Sequence, residues 1–220
     1  MEVKDNLEVI LKDIEESKAN SPYHQTPTII AVTKYVSTER AKEAVSAGIK
    51  DLGENRIEGF IEKKDNIDNV TMHFIGSLQT RKVKEVINQV DYLHSLDRMS
   101  LAKEIQKRAD KKVKCFIQVN VSGEDSKHGI KPEELQSFTQ SLAEYDNIEV
   151  VGLMTMAPLE ANETEIRAYF KHLKQLQLKI QELALPHAPC TETSMGMSND
   201  YKIAIEEGAT FIRIGTKLVG

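Results

Sequence analysis

The chain has 220 residues, enough for a full hydrophobic core, with 40% apolar and 29% charged residues and a formal net charge of -5. That balance argues against a dedicated binder of nucleic acid or of an anionic membrane, and an aromatic content of 5% with no tryptophan weakens base stacking as well. No apolar run approaches a membrane span, Met1–Asp5 does not begin a signal peptide, and Cys115 and Cys190 lack metal-ligand spacing, so a soluble cytoplasmic chain with reduced thiols and no metal site is expected.

Residues 2–17 carry Val3, Leu7, Ile10, Leu11 and Ile14 on one helical stripe. A mostly polar stretch then leads into Thr28–Val36, a β-branched apolar run that reaches a single lysine, Lys34. Ser37 can cap the helix that follows, and Gly48 closes it. Asp51–Asn55 is a short second strand with its exit loop, followed by a charged helix over 56–65. Thr71–Gly76 and Asp91–Leu96 are the third and fourth strands, with helices over 79–89 and 98–109. Val113–Val121 is the longest strand pattern, and Pro132 opens a helix bearing Leu135, Phe138 and Leu142. Ile148–Met156 is the sixth strand, and Asn162 with Glu165 has capping-box spacing at the head of a long helix over 163–183. A weak seventh strand near 190–193 runs into Ser194–Ser198, where Ser198 can cap a helix ending at Gly208, and Thr210–Thr216 is the eighth strand with its exit.

Eight strands alternating with helices predict one parallel α/β unit over residues 1–220. A closed (β/α)8 barrel and an open doubly wound sheet both fit the alternation. The absence of a Gly-rich dinucleotide turn after the first strand favours the barrel. Such folds place chemistry at the carboxyl ends of their strands, where Lys34 lies. Burial there desolvates the amine and frees it to form an imine with an aldehyde; a solvated strand-end lysine is the plainer alternative. The loops after strands seven and eight, Ser194-Met195-Gly196-Met197-Ser198 and Gly215-Thr216, are where barrels commonly bind phosphate, with ordinary turn chemistry as the alternative. Arg213, within an apolar strand, needs a ligand or an ion-pair partner. Asn55 is a ligand donor or a turn residue. His73 and His94 read as satisfied core histidines, Met154 and Met156 as barrel packing, and Ser126-Lys127-His128-Gly129 as a solvated loop.

Taken together, several stretches resemble the pyridoxal phosphate homeostasis protein family. They are Ala31-Val32-Thr33-Lys34, Gly53-Glu54-Asn55, His73-Phe74-Ile75-Gly76-Ser77-Leu78-Gln79, Gly152-Leu153-Met154-Thr155-Met156-Ala157-Pro158, Ser194–Ser198 and Arg213-Ile214-Gly215-Thr216, with Val119–Ser122 and Ser126–Ile130 between them. The resemblance implies a single barrel like the N-terminal domain of alanine racemase, with pyridoxal 5′-phosphate, a vitamin B6 form, held by Lys34 as an aldimine. It implies that Ser194, Gly196, Gly215 and Thr216 surround the phosphate, largely through backbone donors, that Asn55 lines the ring and that Arg213 faces the pyridine nitrogen. An arginine there disfavours a protonated ring and so weakens it as an electron sink. The chain departs from the family pattern at Val36, where a second lysine is usual, at Arg81, where asparagine is usual, and at Glu58-Gly59.

The function implied is buffering of the reactive aldehyde and its supply to pyridoxal-phosphate-dependent apoenzymes, with a monomer expected. A racemase-like enzyme is the alternative, and it requires an acid or base opposite Lys34, for which His73, Tyr35 and Lys127 are candidates. A Schiff-base aldolase acting on a sugar phosphate would also suit Lys34 and the phosphate loops.

Overall fold

The computed structural model describes residues 1–125 and 128–220, so part of the Ser126–Gly129 loop, Ser126 and Lys127, lies outside the described residues. Eight strands close into a parallel barrel in sequence order: β1 Thr28–Val32, β2 Asp51–Glu54, β3 Thr71–Phe74, β4 Tyr92–Leu96, β5 Val113–Gln118, β6 Ile148–Met154, β7 Glu192–Ser194 and β8 Phe211–Ile214. The expected barrel, rather than the open sheet, is what forms. β8 closes onto β1 with Ile30 opposite Arg213, and β7 joins β8 with Ser194 opposite Phe211. The order of neighbours therefore brings the ends of β1, β7 and β8 to one side of the mouth.

The helices follow the apolar stripes: α1 Val3–Ala19, α2 Thr38–Ser46, α3 Ile57–Asn66, α4 Val83–Val86, α5 Met99–Arg108, α6 Leu135–Ser141, α7 Glu163–Glu182, α8 Tyr201–Glu206 and α9 Thr216–Val219. The Ser37 hydroxyl accepts from the Arg40 N–H, and Asn162 with Glu165 makes both halves of the capping box. The helix expected over 79–89 is instead one α turn, α4, between two 3-10 turns. Its run of Val83, Val86, Ile87 and Val90 is β-branched, which costs rotamer freedom in a helix, and all four side chains are buried as anchors. Pro132 likewise opens a 3-10 turn before α6 rather than α6 itself.

Two apolar layers result from the strand alternation. One large cluster lies between barrel and helices; Ile30, Phe116, Val151, Met154 and Phe211 form a second inside the barrel, with Tyr92 packed on it. Met154 packs as expected, whereas Met156 lies past the end of β6 and is 41% exposed. Cys115 and Cys190 are buried free thiols, and burial pushes the Cys190 thiol up to about 12. Among the described residues no helix is long and apolar enough to cross a membrane, and no group of histidine, cysteine and acidic side chains could hold a metal ion.

Candidate functional site

β1 ends at Val32, so Lys34 stands in the turn that leads to α2 rather than on the strand. It is exposed, with its Nζ 5.0 Å from the Tyr35 ring centroid. The desolvation expected for it from the sequence is absent in this conformation. What is buried is the anchorage of its turn. Lys63 of α3 donates to the Thr33 carbonyl at 3.2 Å and lies 3.3 Å from Glu54, while the Thr33 hydroxyl donates to the same carboxylate. Lys63 and Glu54 are both nearly inaccessible. At Gly59, one of the departures from the family pattern, a Cβ would lie 2.4 Å from a Glu54 carboxylate oxygen.

The loops after β7 and β8 are tied together. Lys217 N–H donates to Ser198 Oγ at 3.3 Å, and Arg213 N–H donates to the Gly196 carbonyl at 2.9 Å. Ser198 is therefore a bridge between loops; the cap of α8 is Asp200, whose Oδ1 accepts from Met197 N–H at 2.7 Å. Gly196 has φ +101, and a Cβ there would lie 2.7 Å from Ala204 Cβ, so both its conformation and its surroundings call for glycine. Among the described residues, the backbone N–H groups of Gly196, Ser198, Gly215 and Thr216 donate to no protein acceptor. Four free donors on two linked loops suit a phosphate.

Arg213 is buried at 3% exposure and has no carboxylate within ion-pair distance among the described residues. Its Nη2 donates to the Thr155 carbonyl at 3.0 Å and its Nη1 to the Ser194 hydroxyl. Burial pushes its guanidinium down to about 10, opposed by Asp200, so it stays charged at neutral pH. Burial likewise raises the Asp200 carboxyl, against the Met197 N–H and Arg213. Asn55, just past β2, has a buried Oδ1 without a hydrogen-bond partner among the described residues. It sits beside a cavity of 260 Å³ lined also by Arg56, Phe74, Ser77, Gln79 and Lys82. Gly76 lets the β3 exit close on Asn55, since a Cβ would meet the Asn55 backbone oxygen at 2.6 Å.

His73 and His94 are core residues, as expected, and His73 stacks on Tyr92 with centroids 4.6 Å apart. They also link to each other and onward. His73 Nε2 is 2.8 Å from Asp51 Oδ1, His73 Nδ1 is 2.8 Å from His94 Nε2, and His94 Nδ1 is 2.9 Å from Ser194 Oγ. The candidates thus divide. Ser194, Gly196, Arg213, Gly215 and Thr216 share one quadrant of the mouth next to Lys34, while Asn55 sits on the neighbouring β2 exit. Sequence reasoning missed Glu54, Lys63, Asp200 and the Asp51–His73–His94 link. The only signal for the link was that His73, His94 and Arg213 all fall at inward-facing positions of their strands.

The alanine racemase N-terminal domain family matches residues 6–220 of the chain. A pyridoxal phosphate homeostasis protein of Aquifex aeolicus is 43% identical over 200 residues, covering 87% of this chain and 86% of that protein. The protein of the same name from Escherichia coli K12 is 30% identical over 88% of this chain and 85% of its own length. PipY of Synechococcus elongatus, solved with PLP bound, superimposes with a TM-score of 0.87 at 30% identity, over 99% of this chain and all 100% of that one. Alanine racemase of Corynebacterium glutamicum shares the fold, with a TM-score of 0.74 at 13% identity over 94% of this chain and 60% of that enzyme.

Proposed function

We propose a function that proceeds from one fact: the chain belongs to the pyridoxal phosphate homeostasis protein family and carries the alanine racemase N-terminal barrel. Its role is to bind pyridoxal 5′-phosphate in the cytoplasm, hold it through Lys34, and release it to apoenzymes that require it. Residues 1–220 act as one barrel domain and as a monomer, because β1, β2, β7 and β8 of a single chain supply every group the reading needs.

The observation that carries this reading is the donor set at one quadrant of the mouth. The free N–H groups of Gly196, Ser198, Gly215 and Thr216 suit a phosphate, and the unpaired Asn55 oxygen suits a polar ring substituent. The buried Arg213 cation suits an unprotonated pyridine nitrogen, to which it would donate without giving up its proton. Lys34 supplies the amine beside them. Bound pyridoxal phosphate supplies an aldehyde that condenses with amines, and holding it keeps that reactivity from other proteins.

Carrying rather than catalysis follows from what the other side chains do. A racemase needs a second acid or base facing the lysine. His73 and His94 lie beneath the mouth and are engaged with Asp51, Ser194 and each other. Tyr35 is 77% exposed beside Lys34 rather than across from it. The test is a titration with pyridoxal phosphate followed by visible absorption, with an amino-acid racemisation assay on the loaded protein. A yellow band that saturates at one equivalent, with racemisation no faster than for free cofactor, is the expected result. Absence of binding would remove the proposal, and rapid racemisation would replace it with the enzyme reading.

A further inference from the structure

A buried chain of polar groups crosses the barrel interior from the mouth toward the floor: Arg213, Ser194, His94, His73 and Asp51. Ser194, His73 and His94 are inaccessible, Arg213 is nearly so, and Asp51, the first residue of β2, reaches solvent, with its side chain 17% exposed. The hydrogens in this chain have one consistent arrangement. A guanidinium only donates, so the Ser194 oxygen accepts from Arg213. A carboxylate only accepts, so His73 presents N–H at Nε2 to Asp51. A neutral His73 then accepts at Nδ1, which requires N–H at His94 Nε2. His94 accepts in turn at Nδ1, from the one hydrogen of the Ser194 hydroxyl. Running the bonds the other way would need a charged imidazole or a protonated Asp51 in an apolar interior lined by Phe116 and Phe211.

We propose that His94 and His73 are positioning residues for Arg213, locked as neutral Nε2-protonated imidazoles in a one-way hydrogen-bond chain from Arg213 through Ser194 to Asp51. The chain gives the buried guanidinium a fixed acceptor and refers its charge to a carboxylate at the far end of the barrel. It also uses the only hydrogen of Ser194. The Ser194 hydroxyl therefore offers a ligand no donor, and phosphate recognition falls to the backbone N–H groups of the two loops. Burial holds both imidazoles below their ordinary range, opposed for His73 by Asp51 and reinforced for His94 by His73 and Arg213. The groups facing the two rings are Asp51, Asp91, the Tyr92 phenol with Lys114 over its ring, and Arg213.

The tautomer assignment stands apart from the cofactor; the consequence for phosphate rests on the proposed function. The first test is long-range 15N–1H correlation of the imidazoles in cofactor-free protein. His73 and His94 should each show a neutral Nε2–H pattern, unchanged between pH 8 and pH 6. Ser194→Ala, which removes one oxygen, should move the His94 Nδ1 resonance downfield. Asp51→Asn, which keeps an acceptor, should preserve the His73 tautomer, whereas Asp51→Leu should lose it. A charged ring, or an Nδ1–H tautomer at either histidine, overturns the proposal. The second test compares pyridoxal phosphate with pyridoxal. Ser194→Ala should weaken both by the same factor; a loss confined to the phosphorylated ligand would make Ser194 a phosphate donor and contradict the chain. If the wild-type protein binds neither ligand, the proposed function fails while the correlation spectra still decide the tautomers.

Discussion

A methyl group at residue 196 would meet Ala204 Cβ at 2.7 Å on a backbone with φ +101. Gly196→Ala is therefore expected to cost about 1–3 kcal/mol of stability and to weaken pyridoxal phosphate binding, because the loop must shift to relieve the contact. Urea unfolding and a binding titration check both; unchanged values would remove Gly196 from the cradle. The two interior histidines carry a pH dependence of definite sign. Their folded-state affinity for protons is depressed, so as pH falls through about 6.5 the unfolded chain takes up protons that the folded chain does not. Stability should be independent of them above that pH and decline below it, by up to about 2.7 kcal/mol per pH unit if both contribute fully. Urea midpoints at pH 7.5, 6.5 and 5.5 measure this, and His73→Phe should flatten the slope. A wild-type slope that is already flat would mean the rings titrate alike in both states. At this scale the sequence was legible in residue type and silent on partners. Arg213 within an apolar strand announced a buried cation, but its acceptors, Ser194 and Thr155, lie 19 and 58 residues away along the chain.

At the scale of elements, the turn that carries Lys34 closes on the Val36 N–H to Thr33 carbonyl bond and is braced from outside by α3 and β2. Lys63→Met would leave the buried Glu54 charge without its cation, with the Thr33 hydroxyl still donating, and should cost about 3–5 kcal/mol. Replacing both charges with apolar residues should recover part of that loss. Urea unfolding of the single and double variants measures the difference; equal losses would mean that the pair is not coupled. The capping box at the head of α7 is independent of the site, so Asn162→Ala should cost about 1 kcal/mol and leave cofactor affinity unchanged. Elements with a stripe, such as α1, a cap, such as α2, or both, as in α7, could be read directly because periodicity and cap chemistry are local. The 79–89 segment could not, because Val83, Val86 and Ile87 satisfy a helical period while disfavouring a long helix, and burial against α5 decides the outcome. The Glu54–Lys63–Thr33 contact was hidden for a related reason. Glu54 reads as the polar end of a strand, and only the packing of α3 on β2 turns it into a buried partner.

For the whole molecule, eight alternations of strand and helix were enough to predict closure, since a parallel sheet of that size without a dinucleotide turn has few other solutions. Closure then does what no local pattern reports. It sets β8 against β1, so that a Cβ at Gly215 would lie 3.6 Å from Val32, two residues before Lys34. It also faces β3, β4, β7 and β8 across one interior, where His73, His94, Ser194 and Arg213 meet. The floor of the barrel thereby supports the mouth, and a carboxylate on one side of the protein bears on a cation at the other.

The proposed function turns on Lys34 holding the aldehyde. It is tested most directly by loading the protein with pyridoxal phosphate, reducing with borohydride, and mapping the modified peptide by mass spectrometry. A pyridoxyl group is expected on Lys34 in the wild-type protein and is expected to be lost in Lys34→Ala, with the fold intact by circular dichroism. Label on another lysine, or an equal yield of label in Lys34→Ala, would contradict it.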